Sequence, residues 1–337
     1  MLTQIIVQRE KTYLEDRTDL KLKPGEILGG KYKIQRILGK TGFSRVYSAT
    51  DILQKQEVCL KIIDGNKTYF DQSIEEVKMI RMISKNCELD KKNLLKMFDF
   101  FYCREHLVIV TELLSQNLYD YQMNIREKGL EPYFTRDRIR LISHQVLTAL
   151  AELHSLNVMH CDLKPENILF QSAKDCKVKL IDFGSCSFIH DEPAFYMQTR
   201  PYRAPELLLG CQYDEKIDIW SLGCVLVELY LGIGLFECKS VPGILAKMMA
   251  VFGPFPEWMI KSGKLVKKFM TRDLLPFHEI KDAANSYVAE EAFGRKNESH
   301  IEILVPKKID LLSYMPQDDQ IFVEFMMKML EVDSLKR

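Results

Sequence analysis

The chain has no surplus of charge of either sign: 47 lysines and arginines face 47 aspartates and glutamates. That balance removes the electrostatic basis for a general nucleic-acid or anionic-membrane binder. Long apolar runs are missing as well. The start, Met1 to Arg17, groups only Ile5, Ile6 and Val7 before charges arrive, too little for a signal peptide. The one apolar stretch near membrane length, Asp218 to Phe236, carries Asp218 and Glu228 inside it and reads as a buried core helix. Paired cysteines are also lacking. The nine cysteines are an odd number, with no C-x-x-C pair and no histidines at zinc-ligand spacing. This argues against a disulfide framework and a structural metal, and fits a reducing compartment, cytoplasm or nucleus. What the sequence does have is a globular composition, 47% hydrophobic over 337 residues, enough for two domains or one domain with two lobes.

The texture changes along the chain, strand-rich first and helical later. Tyr32 to Leu38, Arg45 to Thr50, Val58 to Ile63, Lys96 to Phe101 and Leu107 to Glu112 are short runs rich in Val, Ile, Tyr and Phe, separated by turn or charged residues. They predict a five-stranded antiparallel sheet. Between the third and fourth runs, Ile74, Val77, Ile80 and Ile83 recur once per turn and predict one helix over Asp71 to Ser84. Thr135 is a candidate N-cap for a long helix whose stripe is Ile139, Ile142, Val146, Leu150 and Leu153. Residues 1–31 read as an N-terminal extension. The region from about 253 to 316 breaks periodicity and reads as an insertion before a last helix, Asp318 to Glu331.

Several segments carry chemistry. The hairpin Gly39 to Val46 could lay backbone N–H groups over phosphates, although such a hairpin alone is more often a plain turn. Lys61 stands by itself in the apolar strand Val58 to Ile63. Either it snorkels to solvent or it needs a buried anion, and Glu76 faces the core better than Glu75. The decisive order is His160-Cys-Asp-Leu-Lys-Pro-Glu-Asn167, then Lys179-Leu-Ile-Asp182-Phe-Gly184, then Ala204-Pro-Glu206. Asp162, Asn167 and Asp182 supply oxygens for a metal–nucleotide and an acceptor for a hydroxyl proton, while Lys164 can neutralise a transferred phosphoryl group.

With those residues in place, the chain resembles the eukaryotic protein kinases over residues 32–337. His160-Cys-Asp162, Asp182-Phe-Gly-Ser-Cys186 and Tyr196-Met-Gln-Thr-Arg-Pro-Tyr-Arg-Ala-Pro-Glu206 look like the dual-specificity tyrosine-regulated kinases of the CMGC group. Val58 to Ile63 and Glu112-Leu-Leu114 look closer to the plant and protist branch. The resemblance implies an α+β bilobal kinase fold, with a lobe over 32–113 holding the small sheet and its helix, and a mainly helical lobe over 114–337. It implies ATP with Mg²⁺, Ser/Thr-bearing and proline-directed protein substrates, no nucleic-acid or membrane partner, and a monomer. Leu38, Gly39, Val46, Lys61, Glu76, Glu112, Leu114 and Asp182 would bind the nucleotide, Asn167 and Asp182 the metal, and Asp162, Lys164 and Asn167 would act in transfer. Tyr196 would be autophosphorylated and clamped by Arg200 and Arg203.

Departures from the family pattern set further expectations. Thr41 and Ser44 replace two loop glycines, which weakens the approach to phosphates. A pseudokinase or scaffold is therefore the alternative reading. Cys161 replaces an arginine that commonly gathers an activating phosphate. The resemblance also implies a further helix beyond Arg337. With that cover absent, the pairing of Arg337 with Glu206 is expected to be frayed and Arg337→Ala mild.

Overall fold

A computed structural model describes residues 20–192, 194–280 and 300–337. The first 19 residues of the expected N-terminal extension and residues 281–299 of the expected insertion lie outside the described residues. The chain divides into two compact units. The first comprises 20–132, 140–160 and 165–188 of the described residues, and the second comprises 133–139, 161–164 and the described residues from 189 to 337.

The first unit holds an antiparallel sheet built from β1 (Ile27–Leu28), β2 (Tyr32–Lys40), β3 (Ser44–Asp51), β4 (Gln56–Ile63), β5 (Met97–Cys103) and β6 (His106–Glu112), in the order β1-β2-β3-β4-β6-β5. The five expected strands are present, and β1 adds an edge strand. Two residues are too short to show periodicity. The Gly29-Gly30 turn, with both glycines at positive φ, nevertheless brings Leu28 opposite Tyr32, and Leu22 and Leu28 join the core made by Tyr32, Ile34, Tyr47, Val58, Leu60 and Val110. Residues 20–31 are thus sewn into the sheet.

Helix α1 (Lys67–Asn86) crosses the sheet's other side. Asn66 caps it by accepting the Thr68 N–H at 2.8 Å. Its buried stripe, Ser73, Glu76, Val77, Ile80 and Ile83, follows the helical period, and Val77 packs with Ile63, Leu107 and Ile109. The helix runs longer at both ends than the apolar stripe suggests, because its first and last turns are polar.

Helix α2 (Leu118–Glu127) and helix α3 (Arg136–Ser155) follow, and the whole expected stripe of α3, from Ile139 to Leu153, is buried. In the second unit, α4 (Pro205–Leu209) leads to α5 (Lys216–Leu231), the candidate membrane segment, which is a core helix buried all round. Its charges have partners. Asp218 accepts the Cys161 N–H at 3.0 Å and Glu228 accepts the Tyr202 hydroxyl at 2.8 Å. Among the described residues no helix is long and apolar enough to cross a membrane. α6 (Val241–Phe252) comes before the expected insertion, which contributes α7 (Glu257–Ser262), α8 (Val266–Phe269) and a two-stranded hairpin, Phe277–Ile280 with His300–Ile303. The last described helix, Gln320–Met329, is capped by Asp319 accepting the Phe322 N–H at 3.2 Å.

Candidate active site

In the first unit, strand pairing and helix spacing bring Lys61 to Glu76. Lys61 sits opposite Val46 on β3 and Ile109 on β6, so its side chain leaves an interior strand toward α1. The ammonium donates to both Glu76 oxygens, at 2.9 and 2.8 Å, and lies 3.8 Å from Asp182 Oδ1. Burial works against the Lys61 charge, but the Glu76 and Asp182 carboxylates outweigh it and hold the pKa above the ordinary lysine value. Burial also pushes the Glu76 carboxyl upward. The lysine is therefore paired, and the snorkelling alternative is excluded.

After β7 (Val158–Met159), β8 (Ile168–Ser172) pairs with β9 (Lys177–Leu180), and Asp182 follows β9. Its backbone is left-handed, φ +66°, a conformation that an aspartate tolerates at a cost and that often marks functional sites. Neighbours hold it there. The His160 ring nitrogen Nε2 shares a hydrogen bond with the Ile181 carbonyl at 3.0 Å, and the ring meets Phe183 edge to face. Buried Asn167 closes the turn Pro165–Asn167 and accepts the Ile181 N–H through its carbonyl at 2.9 Å.

The Gly39 to Val46 hairpin has Leu38 and Gly39 exposed and Gly39 opposite Val46. At its tip the two residues that replace glycines bond each other: the Thr41 and Ser44 hydroxyls lie 2.8 Å apart, and the Ser44 N–H donates to Thr41 Oγ1 at 3.0 Å. At the end of β6, buried Thr111 donates its hydroxyl to the Glu112 carbonyl at 3.1 Å, and Leu114 lies two residues on, half-buried.

In the second unit, Lys164 Nζ donates to Asp162 Oδ2 at 2.6 Å. Thr199, which the run from Tyr196 to Glu206 contains without a role of its own, completes this cluster: its hydroxyl donates to Asp162 Oδ1 at 2.6 Å, its N–H donates to the same oxygen at 3.1 Å, and its Oγ1 accepts from Lys164 at 3.2 Å. Chain spacing gives no sign of it, since Thr199 lies 37 residues from Asp162. Cys161, at φ +62°, is held by Asp218.

Tyr196, Arg200 and Arg203 separate. Tyr196 is 72% exposed, and its hydroxyl lies 3.5 Å from Lys268 Nζ on α8. Arg203 is buried and donates to the Tyr196 and Gln198 carbonyls at 3.3 and 2.7 Å, with Nε buried and unpartnered. Arg200 turns to the Lys239 carbonyl at 2.7 Å, so no bond of its guanidinium reaches Tyr196 here. Lys268 takes the position expected of Arg200, and no motif points to it.

Arg337 overturns its expectation. Its guanidinium bonds both Glu206 oxygens at 2.8 and 3.1 Å, with both side chains at 0% exposure. It also donates to the Lys216 and Glu331 carbonyls and stacks 5.1 Å from the Trp220 ring. Side chains from distant parts of the sequence, Glu206 and Trp220, cover it.

Comparison with known proteins agrees with this geometry. The protein kinase domain matches residues 32–337. Relatives include serine/threonine-protein kinase ppk5 of Schizosaccharomyces pombe, 34% identical over 97% of this chain and 37% of that protein. The probable serine/threonine-protein kinase dyrk2 of Dictyostelium discoideum is 36% identical over 78% of this chain and 28% of its own length. The dual specificity tyrosine-phosphorylation-regulated kinase 3 of Rattus norvegicus is 32% identical over 93% of this chain and 53% of its own length. The chain spans well under two thirds of each of these relatives. The domain match, with relatives named in this way, puts the chain in the protein kinase family, among the dual-specificity tyrosine-regulated kinases.

Proposed function

We propose that the chain is an active protein kinase that transfers the γ-phosphoryl group of ATP to Ser and Thr hydroxyls of protein substrates, proline-directed, with a sheet-bearing lobe over 32–113 and a helical lobe over 114–337. The observation that carries this reading is the two-pronged bond of Lys61 to Glu76 with Asp182 beside it. An ammonium pinned this way is oriented for α- and β-phosphate oxygens, and electrostatic placement supplies most of the catalysis in phosphoryl transfer. Leu38, Gly39 and Val46 would cover the nucleotide, and the backbone of Glu112 and Leu114 would meet the adenine edge. Asp162 would orient the acceptor hydroxyl and take its proton, with Lys164 balancing the charge.

Asp182 and Asn167 suit Mg²⁺ as hard oxygen donors, and the Asp182 side chain is about a third exposed, with Oδ1 beyond hydrogen-bond reach of Lys61. The remaining oxygen ligands of such an ion would come from the phosphates. When bound, it would neutralise charge on the phosphoryl oxygens.

The scaffold reading has one observation of its own: the Thr41–Ser44 pairing occupies the Ser44 N–H, which a glycine-rich tip would offer to phosphate. One experiment decides between the two. MgATP should raise the melting temperature, and the wild type, unlike Asp162→Asn, should label a Ser/Thr-Pro peptide. Wild type that neither binds MgATP nor labels the peptide would make the chain a scaffold.

A further inference from the structure

Lys179 lies outside the roles assigned so far and is buried to 1% side-chain exposure. Its Nζ stands 2.6 Å from Glu112 Oε1 and 2.6 Å from Asp90 Oδ1. A desolvated ammonium is costly without carboxylates around it, and a buried ion pair adds little net stability; its best-attested use is to fix one arrangement among several.

What Lys179 fixes is the residue at the end of β6. Glu112 Oε1 also accepts the Lys96 N–H at 2.8 Å, the Glu112 N–H donates to the Lys96 carbonyl at 3.0 Å, and Thr111 bonds the Glu112 carbonyl. The same lysine lies on β9, three residues before Asp182. Its neighbour Leu180 donates its N–H to the Asn93 carbonyl at 2.8 Å and accepts the Leu95 N–H at 3.0 Å. The hydrogen bond from Lys179 holds the mostly exposed Asp90 carboxyl below the usual carboxylate range, so the outer partner stays charged.

We propose that Lys179 is a positioning residue for nucleotide binding: its ammonium clamps the Glu112 side chain, giving the peptide groups from Thr111 to Leu114 one fixed orientation toward adenine, and ties that segment to the strand that leads to Asp182. The proposal rests on the kinase reading above. Releasing the clamp frees the adenine-binding segment and leaves the Lys61–Glu76 pair intact, so the loss falls on ATP binding and spares the chemical step.

The test is steady-state kinetics of the full chain with MgATP and a Ser-Pro peptide, with MgATP affinity measured directly in parallel. Lys179→Met should raise the KM for ATP about tenfold, the scale of one hydrogen bond to a charged group, with the peptide KM unchanged and kcat within about threefold. Lys179→Arg should restore most of the loss, and Asp90→Asn should stay near wild type because Glu112 keeps its partner. An unchanged KM for ATP overturns the proposal, and so do parallel losses in kcat and both KM values that track a lowered melting temperature.

If Lys179→Met does not fold, Glu112→Gln reads the same clamp at nearly constant shape: a raised KM for ATP supports it and an unchanged one overturns it. Wild type that binds no MgATP overturns the kinase reading itself, and this is seen before any variant is compared. Wild type that binds MgATP without transferring phosphate moves the same ratios to the MgATP dissociation constant, where an unchanged value for Lys179→Met again overturns the clamp.

Discussion

Lys61 and Glu76 show how a single residue's role follows from its surroundings. The carboxyl of Glu76 is pushed up by burial, and Lys61 opposes that push. Replacing Lys61 with Met removes the ammonium, keeps the length and apolar stem, and lets Glu76 take a proton rather than stay charged and unpaired. Lys61→Met should therefore keep its far-UV circular dichroism while phosphoryl transfer falls by roughly a hundredfold or more, the scale of losing a fixed charge at the reacting phosphates. Near-wild-type turnover would remove Lys61 from the site. Both residues were legible in the sequence, because a lone lysine in an apolar run and a core-facing glutamate one element later carry the pattern locally. Lys179 was not. Alternation puts Lys177 and Lys179 on one strand face and suggests solvent for both, yet Lys177 is exposed and Lys179 is enclosed by Asp90 and Glu112, residues 89 and 67 positions away.

At the level of elements, the strands and helices that were read from their period are present, whereas β1, α2 and α6 were not read from the sequence. β1 is two residues long, and the segment after the Gln320–Met329 helix has no regular structure beyond short turns. That last segment is nevertheless built closely. Arg337→Ala leaves Glu206 as a buried carboxylate without its cation and should cost about 3–5 kcal/mol in urea unfolding, where an exposed pair would cost 0–1. A loss below about 1 kcal/mol would mean the pair is solvated after all. Asp333 anchors the same turn. Burial pushes its carboxyl up, but the Trp258 indole N–H, the Leu335 N–H and the Lys336 ammonium outweigh that and hold it below the usual range. A depressed folded pKa gives stability that is full above the unfolded value, about 4, and is lost as pH falls through the folded one. The stability gap between wild type and Asp333→Asn should therefore be widest near neutral pH and narrow below about pH 4. A gap that is flat or widens on acidification would show that Asp333 ionisation contributes nothing.

For the whole molecule, the proposed switch at Tyr196 draws on the residues around it in the second unit. Burial holds the Arg203 pKa below the ordinary arginine value, Arg200 adds to that, and its Nε has no partner. Such a group gains from a nearby anion. The Tyr196 hydroxyl is exposed and already beside Lys268. A phosphotyrosine carrying about −1.5 to −2 charge would meet Lys268 directly and relieve Arg203, ordering the segment that ends in Thr199, the residue bonded to Asp162. Cys161 has no cation to offer in that task, so the charge must come from these two. In the proposed transfer the Tyr196 oxygen would form a bond to the γ-phosphorus as the bond to the β-phosphate oxygen breaks, the phenolic proton would pass to Asp162, and ADP would leave. The full chain made in a host without tyrosine kinases should carry phosphate at Tyr196 by mass spectrometry. Lys61→Met and Asp162→Asn should both abolish it, because phosphate placement and proton acceptance are each required. Lys268→Met should keep the phosphate but lower peptide phosphorylation about three- to tenfold, the worth of one charge-assisted contact. A fully active preparation with unmodified Tyr196 would remove the switch. Equal activity of wild type and Lys268→Met would leave Arg203 as its sole reader.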